Sequence, residues 1–428
     1  MRSEAHNGAL QPDGSGANLQ DPERILRLAL ALLDEAESAA GAADAIGVTG
    51  QMHGILYLDE SGGAVSPLYT WLDGRLAWEE SDGVTYAKRL EELLHGYRIP
   101  TGYGAATHFV NRRRGLVPAE ARSLCTLPDY LVMKLAGLPA PVAEATQLQG
   151  LGVLDISEGR INEERWKRID GGELELPEVV AATSVVGYHK KSGAVVPSVG
   201  DNQASFLGSV REPEESVHVT VGTSGQVSAL SSKEAAHAPE GVEARPFPEG
   251  SLLWVGATLT AGKALALLAN FVSDVETLLV GKVESDPYEV LRRAAEESSS
   301  APPVVRTTFA GTRRDPSKRG EIREISMDNF TLGDLQKGFT NGVAQELAEL
   351  WHRLRNARKG PDIRRLVGTG NALRRSPLLQ KAVEERFSLP LTLAPDREEA
   401  AYGGAVLAYA GAAEVEIREA MKALLPEE

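Results

Sequence analysis

A chain of 428 residues is longer than one hydrophobic core usually serves, so two domains of roughly 200 residues each are expected. Its formal net charge of −15, from 60 Asp and Glu against 45 Lys and Arg, argues against a nucleic-acid partner, which would need clustered cations. The single cysteine, Cys125, excludes an intramolecular disulfide and a cysteine-built zinc site, and no apolar run reaches the length of a membrane span.

In chain order, the first clear element is a helix over about residues 21 to 39, with Asp21 as its N-cap and Pro22 at the first helical position. "AIGV" (45–48), the loop "TGQMHG" and "ILYLDE" read as strand, loop and strand. Helical patterns then alternate with short apolar segments, and the basic run "NRRRG" (111–115) reads as a solvated helix end. "VVPSVGDNQASFLGS" (195–209) is an apolar run that stops at Gly200, followed by Asp201 at the start of a helix. Asp201 is expected to cap that helix, since Asp readily accepts from an unpaired N–H of a first turn. The charged break "REPEES" (211–216) is the expected boundary between domains 1–210 and 211–428. "VHVTVGTSGQVSAL" follows as a hairpin, "RRLVGTGNALRRSPLLQKAVEERFSLPLTLA" as strand, glycine loop, helix and strand, and "REEAAYGGAVLAYAGA" as the last helix. Strands alternating with helices indicate an α/β protein.

Four loops can carry chemistry. "VGTSG" places Gly222, Thr223 and Ser224 at a hairpin tip, where backbone N–H groups and hydroxyls can converge on a phosphate; an ordinary tight turn is the plainer reading. "VGTGNA" sets Gly368, Gly370 and Asn371 between strand and helix, a common place for nucleotide phosphates, though without the spacing of the dinucleotide or Lys-containing fingerprints. "GQMHG" and "TWLDGR" supply Met52, His53, Trp71, Asp73 and Arg75. A hydroxyl-rich ligand needs such acceptors, donors and an aromatic face. His53 reads equally as a structural loop histidine, and Asp73 with Arg75 as a local ion pair. No His pair has metal-ligand spacing and no Gly-x-Ser-x-Gly elbow occurs, so metallohydrolase and serine-hydrolase readings lack support.

Taken together, "IGVTGQMHGILYLDESGGAVSPLYTWLDGR", "LPDYLVMKLAG", "VGDNQASFLG", "VTVGTSG", "GATLTAGKAL" and "LVGTGNALRRSPLLQKAVEERFSLPL" resemble, in order, the motif series of the FGGY carbohydrate kinases. The resemblance implies a two-lobed, actin-like (ribonuclease H-like) α/β fold with an interdomain cleft. The first lobe would bind the sugar and the second would bind ATP. By that resemblance Asp201 is the general base and a candidate Mg²⁺ ligand. Met52, His53 and Asp73 fall on sugar-contacting positions, with Trp71 and Arg75 in the same motif. Gly222, Thr223 and Ser224 fall on the second phosphate loop, and Gly368, Gly370 and Asn371 on the adenosine-side loop. The implied reaction is phosphoryl transfer from ATP to a ketose, sedoheptulose first and a pentulose such as xylulose as the rival. An aspartate at a helix N-terminus is expected to be held ionised by the helix dipole, so capping and catalysis are compatible.

Three departures stand out. Family members open with Asp-x-Gly-Thr-Thr, the first phosphate loop, and this sequence contains no such stretch, so a first lobe lacking its opening strands is expected. A sugar- or nucleotide-binding chain without catalysis is the alternative that follows. "AGTRRDP" (310–316) carries Thr312 where the family usually has an acid, and Leu72 stands where relatives carry a polar residue. The expected setting is the reducing cytoplasm, without a membrane partner; monomer and homodimer are both open.

Overall fold

Contacts divide the chain into two compact units, the first comprising Met1–Arg211, Arg245–Ser251 and Glu398–Glu427, the second Glu212–Ala244 and Leu252–Arg397. The computed structural model describes residues 2–172, 174–234, 238–312, 315, 317–395 and 398–425. A single cut near residue 210 would put Arg245–Ser251 and the C-terminal helices with the second unit, but they pack with the first.

In the first unit the helix Pro22–Ala40 starts where its sequence signals place it. Asp21 accepts from the Arg24 N–H at 3.0 Å, and proline at the first position has no N–H to leave unpaired. Beside it runs an antiparallel sheet in the order Leu19–Gln20, Leu68–Thr70, Gly54–Leu58, Ser123–Cys125. Gly54–Leu58 is buried on both faces. Leu56 and Leu58 join a core with Leu26, Tyr130 and Met133, while Ile55 and Tyr57 point to a second core with Phe109 and Leu124. That two-sided burial is why the strand reads as an unbroken apolar run although its side chains alternate.

Two short parallel pairs follow. Ala45–Ile46 lies beside Ala194–Val195, and Thr49–Gly50 beside Val199–Gly200. The strand expected over 45–48 is broken at Gly47, where a Cβ would come within 2.1 Å of the Gly404 carbonyl oxygen. Gly47 thereby admits the helix Glu399–Ala413, which also crosses the helix Asp201–Ser209 at close range. A Cβ on Gly403 would lie 1.9 Å from the Ala204 carbonyl oxygen. The glycines and alanines of this helix thus serve close packing, and one more helix, Ile417–Leu424, follows it.

The second unit is built on a mixed sheet whose central order is Leu252–Thr258, Gly225–Ser231, Ser216–Val221, Arg365–Thr369, Leu391–Leu393. Ser216–Val221 and Gly225–Ser231 form the expected hairpin, closed at the Val221 and Gly225 pair. Val343, Leu347, Trp351 and Leu354 of the long helix Leu332–Ala357 are buried, and Trp351 stacks on Phe387 at 6.0 Å. Among the described residues, no helix is long and apolar enough to cross a membrane.

Candidate active site

The parallel pair Thr49–Gly50 and Val199–Gly200 is in register, Gly50 opposite Gly200. The segments that follow, Gln51–His53 and Asp201, therefore leave the sheet at the same level and on adjacent strands. Ligands of α/β sheets gather beyond such carboxyl strand ends. Asp201 is not the cap that its sequence suggests. Gly200 occupies the N-cap, Asp201 is the first helical residue, and its carboxylate accepts from the Asn202 N–H at 2.7 Å. A Cβ on Gly200 would meet Gln203 Oε1 at 2.7 Å and Met52 Sδ at 3.4 Å, so Met52 packs directly behind the base position. The Gly200 N–H donates to Thr146 Oγ1 at 2.9 Å, which ties the turn Ala145–Leu148 to the same spot.

Desolvation by the surrounding protein raises the Asp201 pKa above the ordinary carboxylate value, opposed by the Asn202 N–H and the positive charge of Arg245. This differs from the dipole argument, which predicts a carboxylate held firmly ionised. Here the crowding by neighbouring protein outweighs the helix start, although Asp201 itself stays exposed. Arg245, mostly buried, returns to the first unit with Arg245–Ser251, where Gln203 Nε2 donates to the Pro246 carbonyl at 3.0 Å and Phe247 meets Phe206 edge to face at 5.7 Å.

Met52 is buried, and the His53 ring lies 4.3 Å from that of Tyr103. The loop is pinned by Gly54, whose N–H donates to the Gly102 carbonyl at 3.0 Å; its φ of +92° suits glycine. Trp71 is exposed at 54%, as is Leu72 beside it at 55%. Asp73 and Arg75 lie elsewhere in character. Both are buried, and the Asp73 carboxylate takes the Arg75 backbone N–H, Nε and Nη2 as well as the Asn18 N–H, at 2.7–3.1 Å. Arg75 also donates to Asn111 Oδ1 at 2.5 Å and to Asp13, and its guanidinium lies over the Tyr69 ring at 4.3 Å. Of the readings open for this pair, the local ion pair is the one seen: it fastens the strand end that carries Trp71.

In the second unit, Thr220 pairs with Thr369, so the loops after both strands emerge together. The first is held by the start of the helix Gly262–Val280. Gly262 N–H donates to the Gly222 carbonyl at 3.0 Å, and the Ala261 and Lys263 N–H groups donate to the Thr223 carbonyl. Thr223, Ser224 and Asn371 are exposed there. Gly370 has φ +90°, and a Cβ on it would lie 2.4 Å from the Val221 carbonyl oxygen, so it brings the two loops into contact. Gly368 sits apart from them, inside its strand against Leu373 and Leu391. Thr312 borders a cavity of about 820 Å³ with Thr258, Arg306, Glu346 and Arg353; Arg313, Arg314 and Pro316 of the same motif lie outside the described residues.

Sequence reasoning missed Arg245, Thr146 and Gln147. Arg245 lies 44 positions beyond Asp201 and carries no motif, whereas Thr146 and Gln147 sit in "AEATQLQG", whose polar residues are spaced like any short turn.

Among the described residues, no group of three or more His, Cys, Asp or Glu is placed to hold a metal ion. Mg²⁺ needs no such cage, because it commonly arrives with substrate phosphates and takes one or two protein carboxylates. The accessible Asp201 carboxylate fits that demand.

This arrangement, an accessible aspartate at a strand end in one α/β unit and paired glycine loops in the other, has the architecture of the actin-like sugar kinases. A xyloylose kinase structure from Brucella ovis superposes with a TM-score of 0.80 at 23% identity, covering 98% of this chain and 86% of that one. A Plasmodium falciparum glycerol kinase with ADP gives 0.78 at 16%, covering 99% and 87%. These likenesses show the fold. The models of the FGGY family of carbohydrate kinases match its N-terminal domain to residues 2–208 and its C-terminal domain to residues 217–412, and the chain belongs to that family. It is 26% identical to the sedoheptulokinase of Homo sapiens, over 91% of this chain and 85% of that protein, and 26% identical to that of Mus musculus, over 95% and 89%. To a xylulose kinase of Staphylococcus xylosus it is 23% identical, over 86% and 76%. The protein is a carbohydrate kinase, and kinases of this family use ATP as the phosphate donor.

Proposed function

We propose that the chain transfers the γ-phosphoryl group of ATP to a terminal hydroxyl of a ketose, sedoheptulose foremost, giving sedoheptulose 7-phosphate, with Asp201 as general base. The observation that carries this reading is the Gly50 and Gly200 register, which brings the start of the loop bearing Met52 and His53 level with Asp201. Met52, His53 and exposed Trp71 would face the sugar, with Asp73 and Arg75 holding the loop. As the hydroxyl oxygen bonds to phosphorus, its proton passes to the Asp201 carboxylate, and the bond from phosphorus to the bridging oxygen breaks to release ADP. Such a base is typically worth ~10²- to 10⁴-fold, and a pKa moved up from the ordinary carboxylate value makes it a stronger acceptor near neutral pH. Gly222, Thr223 and Ser224, with Gly370 and Asn371, would receive the nucleotide in the second unit. Mg²⁺ would neutralise phosphate charge, with Asp201 as its protein-side oxygen donor.

The curated sedoheptulokinases support the seven-carbon sugar, and the xylulose kinases among the relatives support a pentulose as the second reading. ADP release measured against sedoheptulose, xylulose, ribulose and glycerol separates them. The expected order of kcat/KM places sedoheptulose first; a pentulose in first place favours the second reading, and turnover of none rejects both.

A further inference from the structure

The turn Ala145–Leu148 carries a buried carboxamide that the fold leaves unsatisfied. Gln147 is 0% exposed, and neither its Nε2 nor its Oε1 has a hydrogen-bond partner. Buried amides are almost always paired, because the loss of hydration is otherwise uncompensated. Its neighbours fix its place. Thr146, one residue before, accepts the N–H of Gly200, the residue that precedes Asp201. Gly150, three residues after, packs so closely that a Cβ would come to 1.5 Å of the Met52 carbonyl oxygen. Gln147 thus sits on the turn between the support of the base and the support of the sugar loop. A second orphan lies beside Gly200, the residue that Thr146 holds: Gln203 Oε1 is buried without a partner there, while its Nε2 is committed to Pro246. A donor-and-acceptor amide and a spare carbonyl oxygen, both buried, suit a polyhydroxylated ligand, whose hydroxyls each give and accept one bond.

We propose that the Gln147 carboxamide binds a sugar hydroxyl, with the Gln203 carbonyl oxygen as its companion acceptor, and that Gln147 helps set which ketose is accepted. The proposal rests on the ketose-kinase reading. It concerns binding rather than the proton transfer, so Gln147 should act through KM and sugar affinity. A site built to hydrogen-bond a hydroxyl discriminates strongly once the bonding group is lost.

The test compares wild type with Gln147→Met, an apolar side chain of similar length, and Gln147→Asn, which keeps the amide but retracts it. Sedoheptulose and xylulose binding is measured calorimetrically without nucleotide, alongside steady-state kinetics and thermal melting. The expected result is a 10-fold or greater loss of ketose affinity and rise in KM in Gln147→Met, a smaller loss in Gln147→Asn, kcat within about threefold, and an unliganded melting temperature equal to or above wild type. Equal ketose affinity in wild type and both variants overturns the proposal alone and assigns the amide to an ordered water. Loss of affinity with a lowered melting temperature in both variants also overturns it, in favour of a packing role. A wild-type protein that neither binds nor phosphorylates any of the ketoses overturns the functional reading beneath it.

Discussion

Gly50 and Gly200 are register partners in a parallel strand pair, and the first residues beyond them are Gln51 and Asp201. Both positions are crowded: a Cβ on Gly50 would meet Pro128 at 3.1 Å, and one on Gly200 would meet Gln203 Oε1 at 2.7 Å, so that side chain would have to move. Substituting Gly200 by Ala should therefore shift Met52 and Asp201 relative to each other. A misplacement of about 1 Å at a reacting centre can cost about 10²-fold. Steady-state kinetics should show kcat/KM down by one to two orders of magnitude (roughly) with the fold intact by circular dichroism. Unchanged kinetics would show that the register does not set the site.

Arg75 is held by Asp73, Asn111 and Asp13 without exposure to solvent. Removing one partner of a buried pair leaves an uncompensated charge and typically costs about 3–5 kcal/mol. Arg75→Met should lower stability by that order in chemical denaturation. Arg75→Lys should rescue only part, because a lysine cannot reproduce the fork that serves Asp73 and Asn111 together. Full stability in the Met variant would contradict the structural role assigned to the pair.

Asp129 accepts from Ser198 Oγ at 2.6 Å and Thr126 Oγ1 at 2.8 Å, yet burial pushes its pKa up to about 7. The folded chain then binds more protons than the unfolded chain between about pH 4 and about pH 7, so this group makes stability fall as pH rises through that window. Asp129→Asn mimics the protonated acid. Its melting temperature should decline less than that of wild type from pH 5 to pH 8; parallel curves for the two proteins would count against the buried-acid account.

Gly370 has φ +90° and abuts the Val221 carbonyl. Alanine there combines left-handed strain, about 1–3 kcal/mol, with a clash. Fluorescent ADP should bind Gly370→Ala at least 10-fold more weakly than wild type. Gly368, which packs within its strand, should lose melting temperature rather than show selective loss of nucleotide affinity when enlarged to Val. The opposite pattern would exchange the roles of the two glycines.

Much of the scaffold was legible because its signals are local. Asp21 with Pro22 announces a helix start, the alternating residues around "VGTSG" announce a hairpin, and Ser376 caps the helix Pro377–Phe387 by accepting from the Leu379 N–H. Asp73 and Arg75 were readable as a pair for the same reason, being two positions apart. What escaped depends on distance along the chain. Nothing near Asp201 marks Arg245 or Thr146 as neighbours, and nothing in the local pattern of Glu399–Ala413 marks its return to the first unit. The cap at Asp201 was misread because a glycine can occupy the N-cap with the acid one step inside, and desolvation then reverses the sign of the expected pKa shift.

The central claim is that Asp201 takes the proton from the sugar. Its most direct test is single-turnover phosphoryl transfer by wild type and Asp201→Asn at saturating ATP, Mg²⁺ and sedoheptulose, over a range of pH. The wild-type single-turnover rate should rise with pH through a pKa above the ordinary carboxylate range, since the base must be ionised and its pKa is raised. Asp201→Asn should lose ~10²- to 10⁴-fold in rate and the pH rise with it, while sugar affinity stays within a few-fold. Turnover by Asp201→Asn at the wild-type rate, with the pH profile intact, would contradict the account.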